Sequence, residues 1–228
     1  MRIETIKADM RREMGAPAPS KLKIYALVDL LASEQQQQDP FVGSWNLVYT
    51  DDDKTRASPF FWAFQKAFGD KKVPMDVLGA GNIADSVFKI TDAIPSSLKK
   101  IGSVKQYAQA GGKFISQVEI VSPIGSSFMT TTSRWLPDPK APGTVELRVE
   151  KTQVLQSTIQ QLLGISSSNP LLAAGFPSGA ALELASPGSS SVTLTNLFLD
   201  ETLRVSRNEG DRIFIFERIS GDEQPVGL

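Results

Sequence analysis

The 228-residue chain contains no cysteine and no histidine. Without cysteine, disulfides, thiol nucleophiles, iron–sulfur clusters and Cys-ligated zinc are excluded. Without histidine, the commonest general base and the commonest transition-metal ligand are missing too. Carboxylate pairs, Ser–Lys pairs and hard-metal sites are the chemistry left open. The 24 basic and 25 acidic residues balance to a net charge of −1 with no basic block, so a nucleic-acid footprint is absent. No run approaches the roughly 20 apolar residues that a helix needs to span a bilayer. Residues 1–14 carry Glu4, Asp9 and Glu13 and lack an apolar stretch, which fits neither a secretory signal nor an acid-poor transit peptide. The expectation is a protein acting where it is made, or one whose targeting segment has been removed.

What is present is ordinary for a globular domain: 41% hydrophobic and 21% charged residues, in a chain long enough to bury a sizeable core. Residues 1–14 suit a short helix with Ile3, Ile6 and Met10 on one side, followed by a Pro-containing linker at 15–19. Ser20 is a candidate N-cap for a second helix, in which Ile24, Leu27, Val28 and Leu31 follow the i, i+3, i+4, i+7 spacing of one buried face. The period then changes to two. In Gly43-Ser44-Trp45-Asn46-Leu47-Val48-Tyr49-Thr50, Trp45, Leu47 and Tyr49 alternate with polar residues, and Val48 is the exception. Asp51-Asp52-Asp53 ends this strand as a charged turn, without the spacing of a calcium loop.

Ser58-Pro59 is a helix start, and Phe60, Phe61, Trp62, Phe64 and Phe68 follow before Gly69. This aromatic helix reads as a plug for the open end of a barrel, with a membrane or partner contact as the alternative. A second helix is expected over 83–94, preceded by a formal G-x-G-x-x-A at 79–84. That motif lacks the flanking parallel strands of a dinucleotide site. Strands are then expected over 104–108, 114–121, 127–135, 144–155, 192–199, 203–206 and 212–219, with Gly111-Gly112 as a hairpin signal. Together with 43–50 these make eight sequential strands, a number that closes readily into an antiparallel barrel. Residues 157–190 break the pattern with an apolar, loop-rich insert that can cap a barrel mouth, touch a membrane or pack as filler.

The first strand resembles the G-x-W signature of lipocalins, in which a Trp packs against an Arg near the barrel's closed end. Its longer context is similar to the G-x-W-x-L-x-Y-T opening of the plastid lipid-associated proteins, or fibrillins. Phe198 to Arg207 resembles the L-D-x-x-L-R-[IV]-x-R element of that family, and Asp211 to Phe216 its final strand. Residues 101–106 and 112–121 are similar to its central hairpin. The resemblance covers roughly residues 20–220. It implies a mainly β, lipocalin-like antiparallel barrel of about eight strands with an N-terminal helix and helical insertions. It also implies a chloroplast protein at plastoglobules, thylakoids or the stroma, binding or organising carotenoids, prenylquinones or other lipids without catalysis or cofactor. The alternative is a scaffold that docks on a biosynthetic enzyme or a thylakoid complex.

On this reading residues 1–40 form a helical extension, 41–220 the barrel with inserts at about 58–95 and 157–190, and 221–228 a tail. The expected ligand-binding face comprises Trp45, Leu47, Tyr49, Phe64, Phe114, Val118 and Leu147, with Val145 and Val149 beside them. The expected partners are an apolar lipid or isoprenoid, a plastoglobule or thylakoid surface, or another protein. Strand alternation puts Arg204 and Arg207 on opposite faces, and Arg204 is the one expected inside. There it either packs over Trp45 or binds a polar ligand head, and Asp200 is its expected ion-pair partner or a turn residue. Glu119 and Glu217 are the only carboxylates tied to apolar strand faces that an enzymatic reading can use.

Overall fold

A computed structural model describes residues 2–34, 41–68, 100–123, 125–156, 175–221 and 223–227. The expected helix at 83–94, the glycine motif at 79–84 and most of the apolar insert lie outside these residues.

All eight strands form: β1 (Gly43–Thr50), β2 (Lys100–Ala108), β3 (Lys113–Ser122), β4 (Gly125–Pro137), β5 (Thr144–Leu155), β6 (Ser191–Leu199), β7 (Leu203–Asn208) and β8 (Ile213–Arg218). Each pairs antiparallel with the next, and β1 also pairs with β8, so the sheet closes on itself. Gly112 turns the β2–β3 hairpin at φ +80°, where a side chain would be strained. The helices are α1 (Arg2–Met14), α2 (Lys21–Glu34), α3 (Pro59–Phe68) and α4 (Ser178–Ala185). The α4 segment places a helix within the insert that the sequence analysis reads as loop-rich. The signal was hidden because Gly179 sits inside the helix, where its missing Cβ lets the backbone approach the Val149 carbonyl. A Cβ there would lie 1.9 Å from that oxygen.

Two apolar cores share the sheet. Inside the barrel lie Trp45, Leu47, Phe114, Val118, Val145, Leu147, Val149, Leu194, Phe214 and Phe216, joined from α3 by Phe60, Trp62 and Ala63. Outside it, Ile6 and Met10 of α1 and Ile24, Val28 and Leu31 of α2 cover Phe198, Leu203, Val205, Ile213 and Ile215. Strands β7 and β8 are therefore buried on both faces, which is why Ile213 to Phe216 is a continuous apolar run rather than an alternating one.

The second core also accounts for Val48. A β-bulge between Leu47 and Tyr49 shifts the register against β8, so Leu47 pairs with inward Phe216 while Tyr49 pairs with outward Ile215. Val48 and Tyr49 both pack in the outer core. Tyr49 is thus removed from the expected interior face, since strict alternation fails at the inserted residue.

Polar groups fix the helices in place. Asp51, its side chain 1% exposed, accepts from the Tyr25 hydroxyl at 2.6 Å and the Ile213 amide at 2.9 Å, and Lys21 Nζ lies 2.9 Å away. Burial alone would raise its pKa; the bonds from Tyr25, Lys21 and Ile213 outweigh that and lower it. Lys7 of α1, only 3% exposed, forms ion pairs with Asp200 and Glu4 and donates to Thr202 Oγ1 at 3.1 Å. Asp200 also receives the Thr202 and Leu203 amides at 2.8 and 2.9 Å, so it is the turn residue between β6 and β7. Its ion-pair partner is Lys7 and not Arg204, because Arg204 points through the sheet to the other side.

Candidate functional site

The barrel's two ends differ. At one end the chain turns tightly between β2 and β3, β4 and β5, and β6 and β7. At the other, the two long connections, β1 to β2 and β5 to β6, emerge together. We call these the closed end and the mouth.

At the mouth, α3 inserts its N-terminal half. Ser58-Pro59 begins the helix as the sequence predicts, and the Phe61 and Trp62 amides both bond the Ser58 carbonyl. The Ser58 hydroxyl lies 2.9 Å from Thr131 Oγ1, which continues through Thr152 to Ser178 of α4 as a buried chain of hydroxyls. Trp62 lies 5.0 Å from the Phe214 ring. Phe61, Phe64 and Phe68 are only partly buried, and the Phe64 and Phe68 rings meet at 4.9 Å, tilted by 53°. Phe64 therefore belongs to the rim rather than to the interior. On the Trp62 side of the helix a cleft of about 220 Å³ is lined by Trp62, Gln65, Lys66, Val192, Asn208, Glu209 and Gly210. Lys66 spans its edge, donating to the Ser191 carbonyl at 2.7 Å and pairing with Glu209 at 3.3 Å. The indole N–H of Trp62 is buried and meets no acceptor among the described residues.

At the closed end, Trp45, Phe114, Phe216 and Arg204 each have 0% exposure. The guanidinium of Arg204 lies 4.0 Å from the Phe216 ring and 5.1 Å from those of Trp45 and Phe41. It donates one hydrogen bond, from Nη2 to Gln106 Oε1. Burial, and then the nearby Arg218 charge, push its pKa well below the usual guanidinium range. Arg218 takes another position against Trp45, 4.3 Å from the ring. It donates to the carbonyls of Glu201 at 2.6 Å and Val42 at 3.1 Å. Two arginines thus contact one tryptophan, each by a cation–π interaction.

Gly43 makes this possible. A Cβ there would sit 2.2 Å from Arg218 Nη1, and its φ of +149° is a conformation side chains rarely adopt. The glycine of the G-x-W tripeptide is thereby explained by an arginine at the far end of the barrel domain. The sequence reading placed Arg204 inside, as found, but missed Arg218 and Gln106. The signal for Gln106 is a polar residue at an inward position of β2, paired across the sheet with Trp45.

The expected set divides accordingly. Trp45, Leu47, Phe114, Val118, Leu147, Val145 and Val149 come together inside with Arg204; Phe64 sits at the mouth; Tyr49 is outside. Arg207 faces outward and pairs with Asp211 at 3.3 Å. Glu119 accepts from the backbone and hydroxyl of Ser103 at 3.0 and 2.9 Å, and Glu217 pairs with Arg11 at 2.6 Å on the outer surface. These two carboxylates are therefore each engaged on the outside of the sheet. Among the described residues no group of three or more acidic side chains could hold a metal, and no helix is long and apolar enough to cross a membrane.

The class defined by this fold is an eight-stranded antiparallel barrel with a core of buried apolar side chains inside it, an aromatic helix at its mouth and an arginine–tryptophan cluster at its closed end. No family model matches the chain, and no curated protein or solved structure matches it.

Proposed function

We propose that this chain is a non-catalytic, lipocalin-like protein that binds or organises lipid, holding part of an apolar ligand such as a carotenoid or prenylquinone at the barrel mouth. The observation that carries this is the part-buried aromatic face of α3, Phe61, Phe64 and Phe68, on a helix whose Trp62 side opens onto the cleft with Val192. Its volume of about 220 Å³ is below the roughly 300–1,000 Å³ typical of sites that engulf a small molecule. Such a cleft takes a ring or a chain segment and leaves the remainder in a lipid phase. Each CH₂ withdrawn from water contributes about 0.8 kcal/mol before the cost of association, so a longer apolar stretch must be covered for a stable hold. The resemblance of 43–50 and 198–207 to the plastid lipid-associated proteins supplies the ligand class and a chloroplast setting at plastoglobules, thylakoids or stroma.

Native mass spectrometry and pigment chromatography of protein purified from plastid tissue test the reading. A bound carotenoid or quinone, reduced by Phe64→Ser with the fold retained, is the expected result. Protein that carries no lipid and takes up none from vesicles loaded with plastoquinone refutes it. The core of buried side chains inside the barrel favours one second reading, a scaffold for an enzyme or thylakoid complex: Trp45, Phe114, Phe214 and Phe216 leave that part of the barrel to side chains. Lipid-free protein that co-purifies stoichiometrically with one such complex would favour it.

A further inference from the structure

Among the described residues, nothing neutralises the charge buried at the closed end. Arg204 is fully buried, yet among the described residues Nε and Nη1 meet no acceptor, and the neighbouring Gln106 Nε2 meets none either. All three unmet groups are donors. A buried charge without a counter-charge is among the costliest features a core can hold. Arg218 increases that cost by placing a second positive charge against the same indole. A purely structural arginine could pair with a carboxylate on any facing strand, but the residue facing it is an amide, and Asp200 is committed to Lys7 on the opposite side of the sheet. A ring of aromatic faces, Phe41, Trp45 and Phe216, keeps the guanidinium dry, which strengthens its hold on an oxygen anion.

We infer that Arg204 and Gln106 form a binding site for a carboxylate at the closed end, opposite the mouth and independent of any lipid held there. Phe41 is the residue that must yield to admit it. Its ring covers the guanidinium and stacks on Phe114 at 5.8 Å, but it lies outside β1 and is tethered there by the Trp45 indole N–H to its carbonyl at 3.3 Å. A free small carboxylate and the head of a short fatty acid offer the same group, and they differ only in the chain that Phe41, Phe114 and Trp135 would have to accommodate.

Thermal melts of the full chain at constant ionic strength, with acetate, decanoate or decanol, decide this. Wild type is expected to show a saturable rise in Tm with a carboxylate and none with decanol, since a ligand bound only by the folded state stabilises it. Response to acetate identifies a free small anion; response to decanoate alone identifies a lipid head. Arg204→Met abolishes the response without lowering the ligand-free Tm. Gln106→Glu supplies the counter-charge internally, so it raises the ligand-free Tm and also abolishes the response. No saturable response in wild type overturns the inference. So does a response that survives in either variant, or a Gln106→Glu protein less stable than wild type.

Discussion

Replacing Asp200 by Asn isolates the ion pair that ties α1 to the β6–β7 turn. The amide keeps an oxygen for the Thr202 and Leu203 amides, so the turn survives while the charge facing Lys7 is lost. Lys7 is 3% exposed and lies 5.8 Å from the Phe198 ring, so its ammonium cannot recover full hydration without undocking α1. Orphaning a buried charge costs about 3–5 kcal/mol. Glu4 remains beside Lys7 and Asp200 itself is one quarter exposed, which places the loss near ~3 kcal/mol, the low end of that range. At about 2–4 °C per kcal/mol for a chain of this size, Tm should fall by roughly 6–12 °C. Asp200→Ala should cost about 1 kcal/mol more for each turn hydrogen bond removed. The informative measurement is a double-mutant cycle with Lys7→Met by urea unfolding. Methionine fills the same space over Phe198 with no charge to strand, so Lys7→Met/Asp200→Asn should recover most of the stability that Asp200→Asn loses. If the double variant is as unstable as Asp200→Asn alone, the charge on Lys7 is not the cause and the argument fails.

Gly43→Ala should destabilise by about 2 kcal/mol, combining strain at positive φ with loss of the Arg218–Trp45 contact, and should shift tryptophan emission; an unchanged urea midpoint would refute the contact's role. Acid should release the N-terminal helices. The pKa values of Asp51 and Asp200 are both lowered by their bonds, so their stabilisation is full above the unfolded aspartate value near ~3.9 and is lost as pH falls through the folded values. Lys7, whose raised pKa reflects Asp200 and Glu4 outweighing burial, loses its contribution only as pH rises past its folded value, at the alkaline end. Hydrogen exchange should therefore show amides of α1 and α2 losing protection in acid before those of β3 and β4, and simultaneous loss would count against this order.

Much of the fold is legible because period-two alternation is a local property. The strand expected over 144–155 has the bounds of β5, and the inward Val145, Leu147 and Val149 follow from alternation alone. Tyr49 was misplaced because a bulge is set by the pairing with β8, some 165 residues away, and leaves no mark in the strand itself. The outer core was equally hidden. Val48, Val205 and Ile215 are explained only once α1 and α2 lie against them. At the closed end, Arg204 was found by parity and Trp45 by its tripeptide. Gln106 is marked only by parity within β2, and Arg218 is not marked at all, since its contact with Trp45 depends on β8 meeting β1 across the closure.

That closure has a consequence for biosynthesis. The outer core under α1 and α2 is built from β6, β7, β8 and the bulge of β1, and it straddles the seam where the first strand meets the last. The ribosome thus releases two amphipathic helices and β1 long before their partners exist, and these segments wait with their apolar faces uncovered until Arg218 emerges. Long-range pairing of this kind is slow to form. Loss of the last dozen residues of the barrel would remove β8 and with it the seam, the stacking of Arg218 on Trp45, and the platform for the helices. A chain stalled just short of its end is accordingly the form most dependent on chaperones.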